Sequence, residues 1–191
     1  MSITIDSIVM HFTPRIKVFL TRHWFTLAML GFVAFMWFRP LAWVSEMNEP
    51  LPNLSFSTLD GRMGTLEGLR GKVVLVNFWA TWCPYCRHEM PAMQAFYQDY
   101  QARGVEILAF SVDDDPAKVE SFMREKGYTY PALMANAEQS HAFGDTSRLP
   151  TSFIIDRNGR LRHKISGQVH YGRLQNLVDP LLLSPTPGDS K

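Results

Sequence analysis

The chain has 191 residues, of which 46% are hydrophobic and 19% are charged, so it is long enough for one well-buried domain with residues left over. Its formal net charge of +1 gives no sign of the basic patch that nucleic-acid binding requires, so nucleic acid is excluded as a predicted partner. The nature of the partners must therefore be inferred from the chemistry of particular residues.

An uncharged run near the N-terminus predicts one transmembrane helix. Residues 24–38 extend for about 22 Å as an α-helix, which is less than the hydrocarbon core of about 30 Å. The span becomes adequate if the helix continues through residues 41–44 while Arg22 and Arg39 reach outward to the interfaces. We therefore predict a transmembrane anchor over residues 24–44.

A cleaved signal peptide and a buried core helix are the two alternatives to an anchor. Leu41 and Trp43 are too large for the small-x-small pattern of a cleavage site around Ala42. Basic residues precede the run and acidic residues follow it, which is the positive-inside bias of a membrane protein. These residues are Arg15, Lys17 and Arg22 before the run, and Glu46 and Glu49 after it. We expect a cytoplasmic segment over residues 1–23 and a single pass through a bacterial inner membrane, with the C-terminal domain in the periplasm.

The segment after the predicted anchor contains "NEPLPN", where two prolines in a polar setting favour extended chain, and we predict a linker over residues 45–53. The folded domain is predicted over residues 54–183 and a flexible tail over residues 184–191. The domain begins with "SFSTLDGRMGTL", whose two short alternating runs around Asp60-Gly61 predict a β-hairpin.

Strand and helix patterns alternate through the rest of the domain. Runs of valine and aromatic residues predict strands over 72–79 and 105–112, and two further strands within 151–165 around a turn at Asn158-Gly159. Helices are predicted between and after them, over residues 84–102, 116–126, about 137–143, and 171–183. This alternation predicts an α/β layer architecture.

The two cysteines of the chain, Cys83 and Cys86, lie within one helical turn of each other. Pro84 follows Cys83 at the expected first position of a helix, where proline is tolerated because its missing N–H has no intrahelical acceptor. Free N–H groups and the dipole at a helix N-terminus favour a thiolate, so Cys83 is the predicted nucleophile. Cys86 lies on the same face and within disulfide distance, so it is the predicted resolving thiol.

Three other roles for the cysteine pair are less consistent with the sequence. A static disulfide closing so small a loop would constrain the unfolded chain little. A structural zinc site needs four ligands, and the chain has no second cysteine pair. Covalent haem attachment needs C-x-x-C-H, whereas Arg87 occupies the histidine position. We predict neither a metal nor another cofactor.

The stretches "VVLVNFWATWCPYCRHEMP", "GVEILAFSVDDD" and "LPTSFIIDRNGRL" together resemble the membrane-anchored, thioredoxin-like proteins of the TlpA/ResA type, over roughly residues 50 to 183. The resemblance implies a thioredoxin fold, with a central mixed sheet flanked by helices and an N-terminal hairpin extension. It also implies that Pro150 is a cis-proline packed against the cysteines. The implied partner-binding groove includes Trp82, Pro84, Tyr85, Leu149, Pro150 and Thr151.

A proton acceptor for Cys86 is the next requirement of such a site. Cytosolic thioredoxins carry a buried aspartate in the strand before the motif, whereas this chain has Asn77, which neither takes nor gives a proton. Glu89 matches the position of a glutamate near the active site of ResA-like proteins, and a partly buried carboxylate there would serve as the acceptor. The alternative is that Glu89 is a surface residue of its helix. His88 is predicted to face solvent.

Two further patterns favour structural roles. Apolar residues recur at spacings of three and four along the helix after the motif, which predicts a core stripe of Met90, Met93, Phe96, Tyr97 and Tyr100. The acidic run Asp113, Asp114 and Asp115 precedes Pro116 at a helix start, so we interpret it as capping and dipole complementarity, not as a metal site.

The predicted function is a thiol:disulfide oxidoreductase that, as the resemblance implies, reduces disulfides of specific periplasmic proteins, for instance in apocytochrome or copper-site maturation. A membrane electron donor is then required for recycling. The dipeptide Pro84-Tyr85 alters which N–H groups reach the Cys83 sulfur and hence the potential, so an oxidase or isomerase stays an alternative. A Sco-like copper-delivery protein using His141 or His170 is the alternative from another class. The P-x-x-x-T-x-x-C pattern of a peroxiredoxin is absent, because Ala80 occupies the threonine position.

Overall fold

The computed structural model of the protein describes residues 23–24, 26, 28–33 and 43–184. The chain divides into two units, Met1–Pro40 and Leu41–Lys191. In the first unit, the described residues between 23 and 33 are helical. Within the described part of the chain, no helix is long and apolar enough to cross a membrane. Much of the predicted anchor, most of the predicted cytoplasmic segment and most of the predicted tail lie outside the described residues.

A six-stranded mixed sheet forms the centre of the second unit. Its strands are β1 (Trp43–Pro50), β4 (Val73–Trp79), β5 (Val105–Ser111), β6 (Ala132–Met134), β7 (Thr151–Ile155) and β8 (Arg160–Ser166), in the order β1-β8-β7-β4-β5-β6. β4, β5 and β6 run parallel, whereas β7, β8 and β1 add antiparallel pairings. A separate hairpin of β2 (Ser55–Ser57) and β3 (Met63–Thr65) confirms the predicted N-terminal hairpin extension.

Among the described residues of the second unit, four α-helices accompany the sheet: α1 (Pro84–Tyr100), α2 (Pro116–Lys126), α3 (Ala137–Ala142) and α4 (Tyr171–Leu182). Their bounds agree with the predicted helices to within a few residues. Local chemistry explains the starts of α2 and α3, because Asp115 and Asn136 each accept a hydrogen bond from a backbone N–H of the first turn. The prediction of a thioredoxin-like α/β fold is confirmed.

The sheet separates two apolar clusters, and alternate residues of β4 supply each side. Val73, Leu75 and Trp79 join the cluster that includes α1, α2 and α4, while Val74, Val76 and Phe78 join the other. Every residue of β4 is buried, as expected for a strand covered on both faces. The predicted core stripe of α1 is confirmed, since Met90, Met93, Phe96, Tyr97 and Tyr100 are all buried.

The start of the domain differs from the prediction. Residues 45–53 were expected to form a linker, but β1 (Trp43–Pro50) pairs antiparallel with β8, from Trp43↔Ser166 to Pro50↔Arg160. Pro50 ends an edge strand, a position where the absence of an N–H is tolerated. The prolines therefore favoured extended chain, as predicted, but that chain covers the open edge of β8. Trp43 and Val44 belong to this strand and not to a helix that continues to residue 44.

Candidate functional site

The cysteine motif lies where β4 passes into α1. A turn closed by the Cys83 N–H on the Ala80 carbonyl, at 3.1 Å, connects the two elements. Cys83 is the N-cap of α1, with Pro84 at the first helical position, and its Sγ accepts the backbone N–H of Cys86 at 3.2 Å. The predicted placement at a helix N-terminus is confirmed, because Cys83 Sγ receives one of the N–H groups that a helix start leaves free.

Cys83 and Cys86 form a disulfide with a Cα–Cα distance of 5.3 Å. The pair is nearly enclosed, since 4% of Cys83 and none of Cys86 is exposed. The two neighbouring aromatic residues lie in the solvent, with Trp82 62% and Tyr85 66% exposed. Exposed tryptophan and tyrosine are over-represented among the residues that dominate protein–protein binding. Each buried cysteine is therefore preceded in the chain by an exposed aromatic residue, Trp82 before Cys83 and Tyr85 before Cys86.

The Leu149-Pro150 peptide bond is cis, which confirms the isomer implied by the resemblance. Leu149 packs against the apolar cluster that contains both cysteines. Thr151, predicted for the groove, is only 1% exposed, and its hydroxyl donates to the Arg148 carbonyl at 2.6 Å. Its side chain thus holds the loop before β7 and does not line an open surface.

Glu89 is buried, with 1% of the residue exposed, so the alternative that it is a surface residue of its helix is wrong. One carboxylate oxygen accepts from the Asn77 amide and the other from the Val169 backbone N–H, each at 2.9 Å. Burial raises the pKa of Glu89 to about 7, although these two hydrogen bonds act to lower it. Its neighbour His88 is exposed, as predicted.

Two contacts to the segment after β8 were not predicted. Val169 donates to Glu89, and the Gln168 side-chain amide donates to the Tyr85 carbonyl at 3.0 Å. The sequence predicted for Asn77 only that its side chain does not exchange protons. In the structure its amide nitrogen donates to the Glu89 carboxylate and also to the Ser152 hydroxyl, the latter at 2.9 Å. No local pattern marks these residues, since their partners lie 75 to 83 positions away in the chain.

The acidic run before α2 divides into separate roles. Asp115 caps the helix by accepting the Ala117 N–H at 2.9 Å, as predicted, and Asp114 is exposed. Asp113 departs from the capping interpretation, because its side chain is buried against the turn before Cys83 and accepts from the Thr81 N–H at 2.7 Å.

No group of three or more histidine, cysteine, aspartate or glutamate side chains suited to a metal ion occurs among the described residues. Neither His141, in α3, nor His170, the N-cap of α4, therefore joins the cysteines in such a group. The described residues contain no preformed copper ligand set of the Sco type.

A cysteine pair at the N-terminus of a helix, in a thioredoxin fold that also has a cis-proline directly before β7, defines a thiol-disulfide oxidoreductase. Comparison with known proteins agrees, since the Redoxin family matches residues 46–179. The chain belongs to the Redoxin family and is a ResA-like thiol-disulfide oxidoreductase, with its Cys83–Cys86 pair at C-x-x-C spacing.

Individual relatives support this assignment. Thiol-disulfide oxidoreductase ResA of Geobacillus thermodenitrificans is 39% identical over 142 residues, covering 74% of this chain and 81% of the relative. ResA of Bacillus subtilis is 33% identical over 140 residues, covering 72% of this chain and 78% of the relative. A thiol:disulfide interchange protein of the thioredoxin family from Chlorobium tepidum superposes with a TM-score of 0.67 at 33% identity, covering 72% of this chain and 99% of that one.

Proposed function

We propose that the protein reduces disulfides of specific partner proteins outside the cytoplasm of a bacterium. The observation that carries this proposal is the buried carboxylate of Glu89, on the same helix as Cys86 and three residues after it, with a pKa of about 7. Residues three apart on a helix are neighbours, so this carboxylate can take the proton that Cys86 loses when it acts as a nucleophile.

The first step is attack by the Cys83 thiolate on one sulfur of the partner's disulfide. A bond forms between Cys83 Sγ and that sulfur as the partner's S–S bond breaks, and the other partner sulfur leaves as a thiolate. The N-cap position of Cys83 favours the thiolate it needs, because the helix dipole and the Cys86 N–H stabilise negative charge on the sulfur.

The second step releases the reduced partner. Cys86 transfers its proton to Glu89 and attacks Cys83 Sγ, so that the Cys83–Cys86 bond forms while the mixed disulfide breaks. The second partner sulfur leaves as a thiolate, and two electrons have passed from the dithiol to the partner. In this sequence the enzyme ends with the Cys83–Cys86 disulfide.

The reductive direction is supported by the charge near the pair. A strongly oxidising dithiol has its reduced form stabilised, as in DsbA, and a thiolate held by favourable charge has that effect. A buried carboxylate that is half ionised near pH 7 opposes a second negative charge beside it, so Glu89 favours the disulfide form of this protein. An enzyme that favours its own disulfide gives its electrons to partners.

The proposed setting is the bacterial inner membrane, with one N-terminal helix as anchor, the domain in the periplasm and a membrane electron donor that reduces the pair again. The uncharged run and the charge bias of the N-terminal sequence support it. Proteins in cytochrome or copper-site maturation are the proposed disulfide substrates. Trp82 and Tyr85 are the proposed contact residues, since both are exposed beside the pair.

The experiment that tests the direction is the reduction potential of the Cys83–Cys86 pair, measured on the full-length chain in detergent against glutathione and dithiothreitol buffers. A value near or below about −250 mV supports a reductant of the thioredoxin class. A value near about −120 mV would overturn the reductive role and assign the same residues to disulfide donation.

A further inference from the structure

One carboxylate holds the turn that leads to Cys83. Asp113, two residues after β5, accepts from the Thr81 backbone N–H at 2.7 Å and from the Thr81 hydroxyl at 2.6 Å. Its Oδ2 also accepts from the Ser111 hydroxyl at 2.8 Å. Thr81 is the second residue of the turn closed by the Cys83 N–H on the Ala80 carbonyl. Both hydrogen-bond donors of Thr81 thus point at Asp113.

Asp113 is a charged group in the interior, with 2% of its side chain exposed. Burial raises its pKa, but the hydrogen bonds from Thr81, Ser111 and Lys118 outweigh burial and keep the pKa below its usual range. The Lys118 ammonium lies 3.3 Å from the carboxylate, and 54% of that side chain is exposed. The turn over residues 80–83 therefore packs against the negative charge of Asp113, which the exposed Lys118 partly balances.

We propose that Asp113 is a positioning residue for Cys83 and that the Asp113–Lys118 pair sets how strongly Cys83 favours its thiolate. The carboxylate holds the turn through Thr81, and its charge opposes the thiolate that the helix N-terminus stabilises. The inference rests on the proposed role of Cys83 as nucleophile. It assigns a function to two residues outside the C-x-x-C motif and outside the Asn77–Glu89 contact.

The expected size of the effect follows from the separation. Cys83 is two residues beyond Thr81, so its sulfur lies on the order of 10 Å from the Asp113 carboxylate. A unit charge at that distance shifts a pKa by about one unit when the effective dielectric constant is about 20. Removing the negative charge should therefore lower the pKa of Cys83, and removing the positive charge should raise it.

Two variants of the full-length protein test this sign. Asp113→Asn keeps a hydrogen-bond acceptor and removes the negative charge, while Lys118→Gln removes the positive charge from an exposed side chain. The control is Asp114→Asn, which makes the same charge change at the exposed neighbour of Asp113. Three other titratable residues near the motif are unchanged in all three variants: Arg87, His88 and Glu89.

The measured quantities are the pH dependence of Cys83 alkylation in the reduced protein and the equilibrium constant with glutathione. Asp113→Asn should lower the Cys83 pKa by about half a unit to one unit, and Lys118→Gln should raise it. The equilibrium should move about three- to tenfold toward the dithiol in Asp113→Asn, where tenfold corresponds to about 30 mV, and the opposite way in Lys118→Gln. Asp114→Asn should change neither quantity measurably.

Opposite signs for the two variants are the result that supports the inference, because loosening of the turn alone would move both in one direction. Shifts of the same sign, or none, in protein that still exchanges disulfides would overturn it. If Asp113→Asn does not fold, Lys118→Gln decides alone, since its side chain is exposed. A wild-type protein whose Cys83 does not exchange with any disulfide would instead contradict the proposed function.

Discussion

The Asn77 amide donates a hydrogen bond of 2.9 Å to the Glu89 carboxylate, joining the central strand β4 to the helix that carries the cysteines. Asn77 is at the position in the strand where cytosolic thioredoxins have a buried aspartate, and it is a neutral hydrogen-bond donor. The ionisable group of this site, Glu89, lies on the helix instead. The titratable carboxylate, Glu89, is thus on the same helix as the resolving cysteine Cys86 and is hydrogen-bonded to the sheet through Asn77.

Replacing Glu89 by glutamine should slow release of the reduced partner. The carboxylate accepts the Cys86 proton only when ionised, so the wild-type rate should fall as the pH decreases below about 7. In Glu89→Gln the rate at pH 8 should be about 100-fold lower, and the profile should lose the inflection near pH 7 and keep only the dependence due to ionisation of Cys86 itself. The rate of release of the reduced partner can be measured by single-turnover kinetics with a disulfide-bonded peptide. His88→Gln, at the exposed neighbour, is the control, and an equal loss in that variant would contradict the assignment.

The same carboxylate should make the stability of the oxidised protein depend on pH. In the folded protein the pKa of Glu89 is about 7, above the usual value of 4.5. The free energy of unfolding should therefore be highest below pH 4.5 and should decrease as the pH rises through 7, because the buried carboxyl then ionises. Each pKa unit corresponds to about 1.4 kcal/mol, which makes the total loss on the order of 3 kcal/mol. Urea denaturation between pH 5 and 8 should show this decline in the wild type and not in Glu89→Gln. Parallel profiles would show that Glu89 does not titrate in this range.

Asn77→Ala should move the pH profile of exchange to higher pH. The Asn77 hydrogen bond lowers the pKa of Glu89, so its loss leaves the effect of burial less opposed and raises that pKa further. The unfolding free energy should also fall by about 1–3 kcal/mol, since two buried partners lose a donor. Ser152→Ala is the matched control, because it removes a partner of Asn77 without touching the Glu89 contact. The midpoint of the pH profile of exchange in Ser152→Ala should stay at the wild-type value.

Cys86→Ser should accumulate mixed disulfides with the natural partners, because Cys83 still attacks and nothing resolves the bond. Non-reducing electrophoresis of membranes from cells producing this variant, followed by reduction of each band, measures the capture. Cys83→Ser should capture nothing. Complexes formed by Cys83→Ser and not by Cys86→Ser would reverse the assigned roles of the two cysteines.

Trp82→Ala and Tyr85→Ala should weaken recognition of protein substrates and leave the fold intact. Both side chains are exposed, so the unfolding free energy should change by no more than about 0.5 kcal/mol. Loss of a contact worth more than about 1 kcal/mol should lower kcat/KM for a protein disulfide at least fivefold while sparing a small neutral disulfide. Met63→Ala, at an exposed residue of β3, controls for loss of apolar surface. Equal losses on both substrates would argue against a docking role.

The amino-acid sequence by itself determined the reactive motif and most of the fold, because those features depend on neighbouring residues. Cys83, Pro84 and Cys86 define a helix start with two thiols on one face, and the valine-rich run before them defines a strand buried on both sides. The bounds of the four helices followed from local patterns and caps in the same way.

The tertiary structure decided what surrounds the motif. It showed that Glu89 is buried and not on the surface, because Asn77 and Val169 reach it from 12 and 80 positions away. It placed residues 43–50 on the edge of β8, where the predicted linker meets a strand more than 100 positions further along the chain. Asp113 likewise took its role from its hydrogen bonds to Thr81 and not from capping the helix it precedes. Burial and long-range hydrogen bonds set these roles, and neither is encoded in the spacing of adjacent residues.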